Sequence, residues 1–562
     1  MGYAIDDLRR FLQEEIINTE TDKAKAINTL YRCNAIILAS ELLKDIDKTE
    51  YTKTKVIILQ QKMKNEIFLK EILKFLAEAE RSNVELIFLK GIFLAADLYK
   101  PMEMRRFGDI DILIDINDLN KVLGILENCG YAFDDSCKKR TLLKYNGSLH
   151  SQIFKEHLEF YKEINATFGQ AIIPVEIHAA PFNPAGIYCN DTQGIIERAY
   201  RESIWGATPW LLEIHDRIIY SMLHFFKHFF LYFDKIISGK EAYIDIQNLN
   251  DIALMVDKYK SIIDWDTIIQ RSLKIGASYE IGFVGKLVNK IYDGRFPDNF
   301  LNKICSYSDS YFCHDAQGFI WLLPEVLNMD MGDIMFGDIY KAVVNVVNAG
   351  DSPKIICPYG NNAIPGVKNA PPYVKDALLD TLGNTFEMAS KDIDSKDFRV
   401  YGNFSWDETH LNLYIRVYDD ILVFDGEFLW KQDSIELQFI VCHDNKFICV
   451  RRLVIAPVLK EGKILLGVRD SNAKQDFVYS DNSIINHSIN IYPDGYDMTL
   501  HLLWEYLNIK PEAGMEIPFY IAANDVDDNC EYVVKTRLQW SANSKNWADF
   551  RSIGKLCLSR VT

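Results

Sequence analysis

Apolar residues follow two rhythms along this chain. Residues 1 to about 80 carry them at helical spacing with few breakers, most clearly from Asp6 to Ile17, which predicts helices. From 81 to about 185 short apolar runs alternate with helical stretches. Val84 to Leu89 predicts a buried strand, Lys90-Gly91 a turn, Ile92 to Tyr99 a helix, and Asp109 to Ile112 a strictly alternating strand. Asn117 to Asn128 predicts the next helix, stopped by Cys129-Gly130, and Pro174-Val175-Glu176-Ile177-His178 a further strand. From about 190 to 347 the rhythm is helical again, through Ile218 to Phe233, Trp265 to Leu273 and Tyr279 to Tyr292.

Between 349 and 372 the pattern breaks, punctuated by Gly350, Pro353, Pro358, Gly360, Pro365, Gly366, Pro371 and Pro372, and a domain boundary is expected near 350. Beyond it, Phe398 to Trp406, His410 to Tyr418, Ser434 to Val441, Phe447 to Val454, Thr499 to Trp504 and Phe519 to Ala523 read as short strands separated by turns, the pattern of an antiparallel β-sandwich. The expected architecture is multidomain α+β. It comprises an N-terminal helical segment over 1–80, a strand-and-helix core over 81–188, a helical domain forming a cleft wall over 189–348, and a C-terminal sandwich over 349–562.

Composition narrows the class. At 562 residues the chain can bury several cores, and its 48% hydrophobic and 12% aromatic content predicts folded domains throughout. A formal net charge of -17 argues against general nucleic-acid binding, which needs clustered Lys and Arg. The apolar window Ile218 to Phe233 contains His224, Lys227 and His228 and is too short and polar for a membrane span. No basic segment followed by an apolar run opens the sequence, and the cysteines are scattered without a Cys-x-x-Cys pair, so a cytoplasmic protein with reduced thiols is expected.

The chemistry begins at Asp109-Ile110-Asp111. Strand side chains repeat every two residues, so the two carboxylates share one face while Ile110 and Ile112 take the other. Neighbouring acids repel, and a hard divalent cation between them relieves the repulsion; Mg²⁺ favours carboxylate oxygens and reaches substrate phosphates. Glu176 supplies a third acid on a later strand.

A strand, a Gly turn at a helix start, a second strand with Asp-x-Asp and an acid on a third resemble the polymerase-beta-type nucleotidyltransferase core. More closely, Lys90-Gly91, Arg105, Gly108-Asp109-Ile110-Asp111 and Glu176-Ile177-His178 resemble the bacterial "uncharacterised nucleotidyltransferase" family. Landmarks continue in Ser221-Met-Leu-His224-Phe-Phe-Lys-His228, Leu249-Asn-Asp251-Ile-Ala-Leu and Ile263-Asp264-Trp265-Asp266, so the resemblance covers about 25 to 300.

It implies that Asp109, Asp111 and Glu176 hold Mg²⁺ or Mn²⁺, with Glu176 also able to accept the acceptor's proton. Lys90, Gly91, Arg105 and Gly108 bind the nucleotide, Arg105 as a two-pronged partner of phosphate. Many transferases of this fold have Gly-Ser after the first strand; here isoleucine follows Gly91, leaving phosphate to the Gly91 backbone, the following helix start and Lys90. His178, His224, Lys227 and His228 are expected to line the cleft, with Asp251 as hydrogen-bond partner of the helical trio.

Phe404-Ser-Trp406 through Asp419-Asp420, then Leu429-Trp430-Lys-Gln-Asp433-Ser434-Ile-Glu436 and Asn524-Asp525, resemble a family-9 carbohydrate-binding module over most of 350 to 562. That resemblance implies a sandwich in which Trp430 and Trp540 clamp a sugar; buried core tryptophans are the alternative. The expected function is transfer of a nucleoside monophosphate from an NTP to a hydroxyl or phosphate of a small-molecule, saccharide or peptide acceptor. Two alternatives stand beside it: a weak or inactive transferase fold serving as a scaffold with a sugar-binding sandwich, and a protein-modifying nucleotidyltransferase.

Overall fold

The computed structural model describes residues 3–18, 23–133, 157–166, 169–182, 191–237, 243–292, 294–306, 323–335, 354–360, 385–389, 398–424, 429, 432–443, 447–460, 463–470, 478–479, 485–526, 536–540 and 553–560. The chain divides into two compact units. One comprises Met1–Tyr232, Tyr243–Ala316 and Leu327–Gly337; the other comprises Phe233–Ala242, Gln317–Val326 and Asp338–Thr562.

The first unit opens with helices Tyr3–Asn18, Lys23–Arg32, Ser40–Ile46 and Lys48–Ser82. In the last of these, Asp47 accepts hydrogen bonds from the Thr49 and Glu50 backbone N–H groups at the start, and Asn83 closes the end in the left-handed region. Its buried Phe68, Ile72, Phe75 and Ala79 recur at helical spacing and join one apolar core with Phe88, Ile110, Ile112, Val175 and Ile177.

Those sheet residues belong to seven strands: β1 (Ile87–Phe88), β2 (Ile110–Leu113), β3 (Ala132–Phe133), β4 (Leu158–Ala166), β5 (Gly169–His178), β6 (Tyr200–Arg201) and β7 (Trp210–Leu211). Their order is β3-β4-β5-β2-β1-β7-β6. β2 runs antiparallel to β1 and parallel to β5, and β4 pairs antiparallel with β5. The predicted strand at Pro174 to His178 is the end of the longer β5, and the aromatic window lies in the helix Ile214–Ile237. Among the described residues no helix is long and apolar enough to cross a membrane.

The second unit contains two sheets. One, in the order β16-β17-β11-β10-β9, holds β9 (Thr385–Ala389), β10 (Phe398–Trp406), β11 (His410–Asp419), β16 (Ile485–Tyr492) and β17 (Gly495–Leu503). The other holds β8 (Lys354–Pro358), β12 (Ser434–His443), β13 (Phe447–Lys460), β14 (Lys463–Asp470), β15 (Val478–Tyr479), β18 (Glu516–Asp525), β19 (Thr536–Trp540) and β20 (Gly554–Ser559). Val400, Phe404, Leu413 and Leu500 of the first meet Leu437, Phe439, Phe519 and Leu556 of the second in one core, a sandwich-like arrangement. One pairing departs from the antiparallel expectation: β8 lies parallel to β20. Gly495 turns β16 into β17 at φ 127, where an added Cβ would sit 2.0 Å from the Val417 carbonyl oxygen, so only glycine fits.

Candidate functional site

Register builds the site. Asp111 pairs with Glu176 across β2 and β5, and Glu176 pairs with Glu159 across β5 and β4. Alternation sends Ile110, Ile112, Val175 and Ile177 to the core and turns Asp109, Asp111, Glu176 and His178 to the other face. Carboxylate oxygens of Asp109, Asp111 and Glu176 lie within 4.8 Å of one another, a spacing at which three acids can share a cation.

Asp111 is the buried member, at 1% exposure, and neither of its oxygens has a hydrogen-bond partner. A buried carboxylate in that state is costly unless a cation meets it. Lys90 Nζ pairs with Asp111 Oδ1 at 3.3 Å and with Asp109 Oδ2 at 3.8 Å, one positive charge shared between two carboxylates. Burial and the nearby Asp111 charge raise the Asp109 carboxyl above its ordinary value. Burial opposes charge on Lys90 as well, but Asp111, Asp109 and Glu176 hold it above the usual lysine value. Burial likewise opposes charge on Glu176; His178, His157 and Lys90 outweigh it and bring this group down to about 2. A carboxylate so acidic stays charged at neutral pH, which suits a cation ligand and makes a poor proton acceptor.

Beyond Glu176 stand His157, Glu159 and Tyr161, with no motif to announce them. His157 Nε2 lies 2.9 Å from Glu159 Oε1 and 3.8 Å from Glu176 Oε1, and Tyr161 donates to Glu159 Oε2 at 2.6 Å. His178 Nε2 approaches Asp111 Oδ1 at 3.5 Å and Glu176 Oε2 at 3.6 Å, and is itself buried without a hydrogen-bond partner.

Arg105 requires a correction. The fork expected on phosphate is buried and committed to Asp251, Nε lying 2.9 Å from Oδ2 and Nη2 2.7 Å from Oδ2. Its Nη1 donates to the Gly91 carbonyl at 3.3 Å, so Arg105 ties the Gly91 turn to the helix Ile246–Tyr259. Asp251 is corrected with it: in place of His224, Lys227 or His228 it takes Arg105 and the Tyr99 hydroxyl at 2.6 Å. Asn250 donates to the same Tyr99 oxygen and accepts from Tyr292. Gly91, at φ 73, brings its turn close enough that a Cβ would lie 3.2 Å from the Asp109 carbonyl oxygen, while space beside Gly108 is open.

The helix Ile214–Ile237 brings His224 Nε2 to 3.1 Å from Lys90 Nζ, and His228 Nε2 to 3.2 Å from His224 Nε2. Burial and the Lys90 charge keep His224 well below the ordinary histidine value, so its ring is neutral and accepts from the ammonium. Lys227 is exposed on the same helix. Trp430 lies outside the described residues, and of Trp540 the backbone alone is described, pairing with Ile521.

The chain therefore places Asp109, Asp111, Glu176, Lys90, His157 and His178 around one sheet face. Residues 39–293 match the family described as "Uncharacterised nucleotidyltransferase". The matched residues contain β1 to β7 and every candidate site residue above except Trp430 and Trp540. A search of the curated proteins finds no match. Among solved structures, a family-9 carbohydrate-binding module from Caldicellulosiruptor kristjanssonii in complex with cellotriose is 18% identical, covers 37% of this chain and 95% of its own, and has a TM-score of 0.24. A family-9 module from that organism in complex with glucose gives 17% identity, 37% and 97% coverage, and a TM-score of 0.24. Likeness at that score carries no argument about what the second unit binds.

Proposed function

We propose that residues 39–293 form a polymerase-beta-type nucleotidyltransferase that moves a nucleoside monophosphate from an NTP to a hydroxyl or phosphate of a small-molecule, saccharide or peptide acceptor, releasing pyrophosphate. The observation that carries this reading is Asp111: a buried carboxylate with both oxygens unbonded, in register with Glu176 and beside Asp109. Oxygen ligands in that number suit Mg²⁺ or Mn²⁺, which when bound would supply charge stabilisation for the phosphoryl oxygens and acidify a coordinated hydroxyl.

The protein's own groups fill the remaining roles. Lys90, released from Asp111 once that charge is met elsewhere, presents its ammonium to the triphosphate. Arg105 holds the Gly91 turn against the acid-bearing strand, and the open space at Gly108 leaves room for the nucleotide. Neutral His224 fixes the Lys90 side chain from behind. Release of pyrophosphate from each of the four NTPs, with pooled sugars, metabolites and peptides as acceptors, tests the proposal; it should disappear in Asp109→Asn/Asp111→Asn.

One observation favours a second reading for the other unit. On the face of β12 that carries Ser434 and Glu436, Glu436 accepts from Arg452 at 2.6 Å and Asn524 at 3.1 Å, while the buried Gln438 amide has no hydrogen-bond partner. We propose saccharide hydroxyls as the missing partners. Calorimetric titration with gluco-oligosaccharides, wild type against Trp430→Ala, tests it.

A further inference from the structure

Two cation sites of different chemistry meet at Glu176. The first is the all-oxygen set of Asp109, Asp111 and Glu176. The second is made by His157, Glu176 and His178, whose ligand atoms lie within 4.8 Å of one another. We infer that this second set, two imidazoles and a carboxylate, binds a first-row transition cation such as Mn²⁺, Co²⁺ or Zn²⁺ in preference to Mg²⁺. The inference leans on the proposed function only for the ion at the neighbouring oxygen set.

The unsatisfied atoms point into the second set. His178 Nε2 is buried without a hydrogen bond, and the nearest polar atoms are Asp111 Oδ1 at 3.5 Å and Glu176 Oε2 at 3.6 Å, all beyond bonding contact. Asp111 Oδ1, without a hydrogen bond and 3.3 Å from the Lys90 ammonium, borders this set from the first. An imidazole nitrogen and two carboxylate oxygens held just outside hydrogen-bond range leave room for a cation among them. Satisfying one another directly would instead have drawn the groups to about 2.8 Å.

Ligand type then decides the class of ion. Mg²⁺ requires near-ideal oxygen geometry and sheds water reluctantly, whereas imidazole raises affinity for Mn²⁺, Co²⁺ and Zn²⁺ along the usual order. His157 Nε2 faces both Glu176 Oε1 at 3.8 Å and Glu159 Oε1 at 2.9 Å, so Glu159, itself held by Tyr161, stands beside this set as a further carboxylate. His157, Glu176 and His178 are all partly exposed, so an ion has a path in.

The test uses the full chain, stripped with chelator and titrated with Co²⁺ in excess Mg²⁺, followed by visible absorption; pulsed paramagnetic resonance of bound Mn²⁺ reads directly coordinated nitrogen. One Co²⁺ should persist against Mg²⁺, and Mn²⁺ should show imidazole nitrogen coupling. His157→Asn and His178→Gln should each weaken this binding by about 100-fold or more, beyond the 10- to 100-fold that follows loss of an outer partner alone. Asp109→Asn should retain the nitrogen signal. Complete displacement of Co²⁺ by Mg²⁺, absence of nitrogen coupling in wild type, or an unchanged signal in both histidine variants would overturn the inference. Pyrophosphate release, measured alongside, separates it from the proposed function. Nitrogen coupling without turnover keeps this site and removes the transferase, and turnover with Mg²⁺ alone without nitrogen coupling does the reverse.

Discussion

Asp111 and Glu176 are direct neighbours in the parallel pairing of β2 with β5, one wholly buried and the other at the opening of the site. That adjacency makes their environments unequal, and the inequality extends to Asp109, the acid with the raised carboxyl pKa.

A raised carboxyl pKa means that folding penalises the charged form, so the cost is absent below the ordinary value of 3.8 and present once pH rises through the folded one. Asp109→Asn should therefore stabilise the metal-free protein at pH 7 while reducing pyrophosphate release by about 100-fold or more. Urea midpoints and initial rates on one preparation check both.

Lys90 is the countercharge for these acids in the metal-free chain. Lys90→Met should cost on the order of 2 kcal/mol without added metal, less than a fully buried pair because Lys90 and Asp109 are partly open. Mn²⁺ should restore part of that loss, so the melting shift on adding it should be larger in Lys90→Met than in wild type.

Arg105 and Asp251 are both nearly inaccessible. Removing one leaves the other buried and unpaired, so Arg105→Met should cost about 3–5 kcal/mol, and Arg105→Met/Asp251→Leu should recover much of it. If Arg105→Met unfolded no more easily than wild type in urea, the positioning role would be lost.

The acid limb of stability has a separate source. Burial opposes charge on Glu213, yet His215 and Arg271 bring this carboxylate from 4.5 to about 2. A depressed carboxyl contributes stability that is complete above 4.5 and disappears as pH falls through about 2. Discounted for partial exposure, Glu213→Gln should remove on the order of 2 kcal/mol at pH 7 and almost nothing near pH 2, read from urea midpoints across that range.

Asp111 and Glu176 were legible because strand alternation is written locally: an acid between two isoleucines, or between valine and isoleucine, must turn away from the core they enter, and Asp109 shares their face by standing two residues before Asp111. His157 and Glu159 join the site only through the register of β4 on β5, a pairing no window of sequence displays. Arg105 reads as a phosphate fork until the fold brings Asp251 to it from a distant helix. The main strands of the second unit follow from alternation. By contrast, β16 alternates with exposed Asn and Ser at a sheet edge, and β8 finds a parallel partner far along the chain. Neither leaves a strong apolar signal.

Lys162 gives β4 an anchor of its own: its ammonium bonds Glu71 on the long helix and the Cys129 carbonyl, each at 2.7 Å. The strand that bears Glu159 and leads in from His157 is thus fastened independently of the Gly91 turn, which Arg105 secures through Asp251. The two halves of the site can consequently vary apart. Substitutions along β4 can alter the surroundings of Glu176 while the Asp109–Asp111 half stays intact, a division of labour that lets one side of the site diverge without cost to the other.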